Sequence, residues 1–177
     1  MQYRYMRKKR ELQDGAEYHV TARINRGETI FLIQENRDLF MKILKRAKKK
    51  YSFTIKNFCI MGNHIHLLIK PEHGESLSRI MQWILGVYAQ LWNKNNKLTG
   101  HLWGERFFSR IIKGILDFLR VFSYIDNNPV NAGLVEYPEK WMYGGLWHHK
   151  KGNTDIVNFI DPVILEYFPE HKVTQQL

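Results

Sequence analysis

The stretch Thr54-Ile55-Lys56-Asn57-Phe58-Cys59-Ile60-Met61-Gly62-Asn63-His64-Ile65-His66-Leu67-Leu68-Ile69-Lys70 decides the fold. Both halves are rich in β-branched and aromatic residues, and Gly62-Asn63 between them is a tight-turn signal. They read as an antiparallel hairpin, with strands over 54–61 and 64–70, the second stopped by Pro71. Upstream, Glu17-Tyr18-His19-Val20-Thr21-Ala22-Arg23-Ile24 alternates with period two and reads as another strand. Between that strand and the hairpin, Leu39, Phe40, Ile43, Leu44 and Ala47 recur at helical spacing within 36–50, opposite a basic face. Downstream, Ser76 caps a helix running to about Asn95, and Gly100 marks a loop. Residues 106–113 read as a fourth strand through Phe107, Phe108, Ile111 and Ile112. Asp117 then caps a helix expected to end near Asn128, because the residue before Pro129 is biased away from helical geometry. The order β-α-β-β-α-β-α predicts an α+β, ferredoxin-like split βαβ fold. Its antiparallel four-stranded sheet carries helices on one face and is followed by a C-terminal helix and tail. The expected organisation is a basic N-terminal arm over 1–16, the main domain over 17–138, and a tail over 139–177 packed on that domain.

The chain of 177 residues is the size of one domain, and 44% hydrophobic with 25% charged residues suffices to bury a core. No apolar run approaches the ~20 residues that span a bilayer, and Met1-Gln2-Tyr3-Arg4 opens no signal peptide. The single cysteine, Cys59, excludes an intramolecular disulfide and a cysteine-rich zinc site. A cytoplasmic, nucleoid-associated protein is expected. Lys and Arg number 27 against 17 Asp and Glu, a net charge of +10, the footprint of a phosphate-backbone binder. Arg4, Arg7, Lys8, Lys9 and Arg10 form one cluster; Lys42, Lys45, Arg46, Lys48, Lys49 and Lys50 form another that a solvated helix face would equally explain. Trp103, Phe107 and Phe108 interleave with Arg106 and Arg110, the mixture of rings and cations that single-strand binders use.

In a strand, His64 and His66 project to one face while Ile65 and Leu67 enter the core. Two adjacent imidazoles can each give one ring nitrogen to a divalent cation. A His-x-His-x-His hydrolase is excluded, because position 68 is leucine. Tyr124 and Asn128 stand one helical turn apart. A tyrosine hydroxyl beside a metal is a plausible nucleophile for phosphoryl transfer, and the Asn128 amide oxygen could complete the ligand set. Tyr88 is the rival among nine tyrosines, but Trp92 stands where it would need a ligand.

The His-hydrophobic-His strand, Leu102-Trp103-Gly104-Glu105-Arg106-Phe107, and the run Tyr124-Ile125-Asp126-Asn127-Asn128-Pro129-Val130-Asn131-Ala132-Gly133-Leu134-Val135 together resemble the tyrosine transposases of the HUH superfamily. Within it they are most similar to the REP-associated branch. The resemblance extends over about 18–147, with Gly62 where that family more often has proline. It implies His64, His66 and Asn128 as ligands of Mg²⁺ or Mn²⁺ and Tyr124 as the nucleophile. Attack on a phosphodiester would leave a 5′-phosphotyrosine and a free 3′-hydroxyl, and a later strand would reverse the step without ATP. The implied substrate is single-stranded DNA whose imperfect palindromes fold into hairpins. Arg7, Lys8, Lys9, Arg10, Lys45, Lys49, Trp103, Arg106 and Arg110 are the residues expected to grip it. No membrane partner is implied, and a monomer is favoured over a homodimer. The competing reading is a non-catalytic hairpin-binding module on the same scaffold; it leaves the His64/His66 and Tyr124/Asn128 pairs without a purpose.

Overall fold

The computed structural model describes residues 11–173. Strand β1 (Tyr18–Arg23) is followed by helix α1 (Gln34–Lys50), the hairpin β2 (Phe53–Ile60) and β3 (His64–Pro71), helix α2 (Leu77–Asn96), and strand β4 (Phe108–Ile111). Then come α3 (Gly114–Asn131) and two short helices, α4 (Gly145–Lys150) and α5 (Pro162–Tyr167). The sheet order is β2-β3-β1-β4 and every pairing is antiparallel. This is the split βαβ arrangement that the element order predicted.

Strand alternation divides the side chains between two layers. Val20, Ile65, Leu67 and Ile69 point to one face, fully buried, where α1 and α2 pack together around the rings of Phe31, Phe40, Tyr88 and Trp103. The other face carries His19, Thr21, His64 and His66 and is covered by α3. Strand β2 supplies both layers through a bulge. Ile55 pairs with Ile69 but Asn57 with Leu68, so Lys56 is the extra residue and Asn57 and Cys59 turn to the α3 side.

Three local expectations are corrected. Asp117 does not cap α3; the cap position is Lys113. The Asp117 carboxylate instead accepts the Lys113 backbone N–H at 2.9 Å and both Arg110 guanidinium N–H groups at 2.8 and 2.9 Å, tying the helix start to β4. The helix does not stop at Asn128. It continues through Pro129 to Asn131, because burial of Ile125, Asn128 and Pro129 holds the last turn, and Gly133 ends it with φ of 66°. Strand β4 is also shorter than the 106–113 span: Phe107 is buried in the core before pairing begins.

Residues beyond α3 seal the open edge of β2. The Ile60 N–H donates to Tyr143 O (2.9 Å), the Trp141 indole N–H to Ile60 O (3.1 Å), and Asn158 exchanges bonds with Ile55. Gly145 lies so close to Asn57 that a Cβ there would overlap its Oδ1, so no larger residue fits without displacing it. Ile156 and Val157 are fully buried. An unpaired strand edge invites pairing with another chain, and this one is occupied.

Candidate functional site

The register between β1 and β3 assembles the centre of the site. Thr21 lies opposite His66, Arg23 opposite His64, and His19 opposite Leu68. His66 is almost completely buried. Its Nδ1 lies 3.0 Å from His19 Nε2 and 3.2 Å from Thr21 Oγ1, and the two imidazoles stack at 5.2 Å. Its Nε2 is buried and has no hydrogen-bond partner among the described residues. A buried polar atom left unmatched costs free energy, so this nitrogen is an opening for a ligand.

His64 is oriented by the turn that precedes it. The Asn63 amide donates through Nδ2 to Gly27 O (3.1 Å), so its Oδ1, 2.7 Å from His64 Nδ1, must accept. His64 therefore carries hydrogen on Nδ1 and presents Nε2 as a lone pair. The imidazoles of His64 and His66 stand 4.9 Å apart and nearly perpendicular. Burial keeps both neutral. His66 is pushed down to about 3, mainly by desolvation and then by its histidine neighbours, and His64 is lowered by burial and by the Arg23 charge. Neutral imidazoles are the form that ligates a cation.

Helix α3 crosses this face from the Glu17 and Lys56 end, past Asn57, toward His64. Tyr124 meets His66 edge-on at 5.4 Å and His19 at 6.0 Å, with half its surface exposed. One turn on, the Asn128 amide donates through Nδ2 to Tyr124 O at 2.6 Å, so Oδ1 is the atom it keeps for a ligand. Two neutral imidazole nitrogens and an amide oxygen are groups that could ligate a divalent cation, and the unmatched His66 Nε2 fits that use.

The residues expected to grip DNA divide. Arg7, Lys8, Lys9 and Arg10 lie outside the described residues. Arg106 is exposed and borders a cleft of about 450 Å³ between α2 and 100–107. Arg110 is held by Asp117, and Lys45 pairs with Asp155 at 2.7 Å. Lys49 is exposed on α1, on the sheet face away from the histidines. Trp103 packs on Tyr88 and donates to Leu85 O (2.9 Å), so it serves the core more than a ligand. His19, Thr21, Arg23 and Asn63 escaped the sequence reading. The period-two pattern of β1 puts the first three on one face; only the pairing with β3 shows that it is the histidine face.

Residues 13–128 match the family described as "Transposase IS200 like". The chain belongs to this family. The matched span takes in His64, His66, Tyr124 and Asn128, so the IS200-like unit is β1 to α3 and the edge-sealing tail follows it. A curated Haemophilus influenzae protein described as a REP-associated tyrosine transposase is 27% identical over 145 residues, covering 76% of this chain and 75% of that one. A solved REP-associated tyrosine transposase bound to a REP hairpin superposes with a TM-score of 0.70 at 20% identity, over 87% of this chain and 91% of that one. At that identity the likeness is one of fold, and it agrees with the α+β architecture. The resemblance to transposases seen in the motifs is thus borne out at the level of the IS200-like family, and the Haemophilus influenzae protein to which the chain is similar is described as REP-associated.

Proposed function

We propose that this IS200-like transposase cleaves and rejoins single-stranded DNA bearing hairpins, through a covalent bond to Tyr124. The observation that carries this reading is the meeting of Tyr124, half-exposed on α3, with a buried His66 whose Nε2 has no partner. The Tyr124 hydroxyl oxygen forms a bond to phosphorus as the P–O3′ bond breaks. The products are a 5′-phosphotyrosine and a strand whose 3′ oxygen takes up a proton. Because the phosphodiester energy stays in the new ester, a second 3′-hydroxyl can reverse the step without ATP.

His64 Nε2, His66 Nε2 and Asn128 Oδ1 are the atoms that would hold Mg²⁺ or Mn²⁺, and such a cation supplies Lewis-acid polarisation of the scissile phosphate. Asn63 and His19 orient the two imidazoles, and α3 sets Tyr124 and Asn128 on consecutive turns. The covered β2 edge favours a monomer, and the net charge of +10 favours residence with nucleic acid in the cytoplasm. Among the described residues, no helix is long and apolar enough to cross a membrane.

The test is incubation with labelled hairpin DNA from beside the gene, with Mg²⁺ or Mn²⁺, on a denaturing gel. The expected result is a protein–DNA adduct that disappears in Tyr124→Phe and in His64→Ala. Tight hairpin binding with no adduct would replace this reading with that of a non-catalytic binder.

A further inference from the structure

Phe108 lies on β4 directly opposite Thr21, and Thr21 lies opposite His66. The three residues form one row across the sheet. Directly paired residues share a face, and the Thr21 hydroxyl touches His66 Nδ1, so Phe108 projects on the histidine face. It stands two strand spacings from His66, about 10 Å. Yet the residue is 61% exposed. Helix α3 is anchored over Arg110 by Asp117 and leaves Phe108 uncovered. Scattered surface hydrophobics need no explanation; a phenylalanine in the same row as the candidate ligand, on a basic chain, is a different matter. Arg23, two residues along β1 from Thr21 on the same face and opposite His64, is exposed and positively charged.

We infer that Phe108 is a stacking platform for an unpaired nucleobase of the DNA strand, within a nucleotide or so of the phosphate that lies against His66 and Tyr124. A flat ring, exposed at a sheet edge on the same face as an exposed cation, can recognise single-stranded nucleic acid by its π-face and tolerate any base. The strand would thus be held at two points, its phosphate at the histidines and its base on Phe108. This rests on the proposed function and specifies how the same site holds its substrate.

The test measures binding of a labelled hairpin with a single-stranded 5′ flank, in chelator so that nothing is cleaved. A series of probes carries one abasic nucleotide at each flank position. Phe108→Ala is expected to weaken binding about tenfold, Phe108→Trp to restore it, and thermal stability to be unchanged. One abasic position should weaken the wild type equally while leaving Phe108→Ala no worse, and the salt dependence should keep its slope. Equal affinity of Phe108→Ala and wild type overturns the inference, as does a loss that multiplies with every abasic position. So does a DNA-free homodimer that Phe108→Ala dissociates in sedimentation, which would make Phe108 a subunit contact. A wild-type protein that binds no hairpin refutes the proposed function itself, and this inference with it.

Discussion

His19 Nε2 lies 3.0 Å from His66 Nδ1, and this contact fixes what each ring must do if His66 is to bind a cation through Nε2. A ring nitrogen ligates only as a lone pair, so hydrogen must sit on Nδ1 for Nε2 to bind. Nδ1–H then donates to His19 Nε2, which must itself be unprotonated. Burial, with the nearby Arg110 charge, pushes His19 down to about 4 and keeps its ring neutral, so it can accept at Nε2 as the Nδ1–H tautomer. A partner that accepts from the far nitrogen of a ligating imidazole is worth ten- to a hundredfold in metal affinity. His19→Phe retains the stacked ring and removes the acceptor, so Mn²⁺ should bind roughly ten- to a hundredfold more weakly in calorimetry. Imidazole ¹⁵N spectra of the wild type should show His66 and His19 as Nδ1–H tautomers. Finding His66 with hydrogen on Nε2 would refute this assignment.

Asp126 binds the tail to α3. Its carboxylate accepts from Asn57 Nδ2 at 2.9 Å and from His171 Nε2 at 2.7 Å, and His171 in turn contacts His149 at 2.8 Å. All four residues are buried. Asp126→Ala strips both partners of their acceptor and should lower unfolding free energy by about 3 kcal/mol. Urea denaturation measures this, and a change below about 0.5 kcal/mol would mean that surface-like solvation replaces the clasp.

Acid should loosen the same region. Burial pushes His148 down to about 4 and His149 to about 3, the latter helped by His171. In the unfolded chain both titrate near 6.5. As pH falls below that value the unfolded state takes up protons that the folded state refuses, so stability drops from pH 6.5 toward 4. Glu17, raised by burial, acts in the opposite sense. Asp117 and Asp155, lowered by their Arg110 and Lys45 partners, act below this window. The urea midpoint at pH 5 should therefore lie below that at pH 7.5; equal midpoints would sink this account.

The cations should separate by what already holds them. Arg23 is exposed opposite His64, so Arg23→Ala should weaken hairpin binding and reduce the salt slope by about 1. Arg106→Ala should behave similarly. Lys45 already neutralises Asp155 on the other side of the sheet, and Lys45→Ala should leave the slope as it is. Plots of log affinity against log salt for the three variants decide; a slope change in Lys45→Ala alone would put the DNA on α1.

Much of this was legible in the chain because it is written in local periodicity. Two strand-rich runs joined by Gly62-Asn63 announce the hairpin, and period-two geometry puts His64 and His66 on one face. The four-residue spacing put Tyr124 and Asn128 on one side of a helix. The helix runs past Asn128 because the bias of a residue before proline is a local preference of modest size, and burial of Ile125 and Pro129 outweighs it. Trp103 and Lys45 looked like DNA contacts because composition cannot tell a ring or cation that has a partner within the protein from one that does not.

The sequence by itself determined the order of elements, the basic character and the two pairs of candidate catalytic residues, since each depends on neighbours along the chain. Only the tertiary structure decided that His19 and Thr21 support His66, that Asn63 orients His64, and that Asp126 holds His171. Those relations join residues as far apart as 47 positions. They depend on strand register, which is set by the joint packing of two layers and leaves no periodic trace in either strand alone.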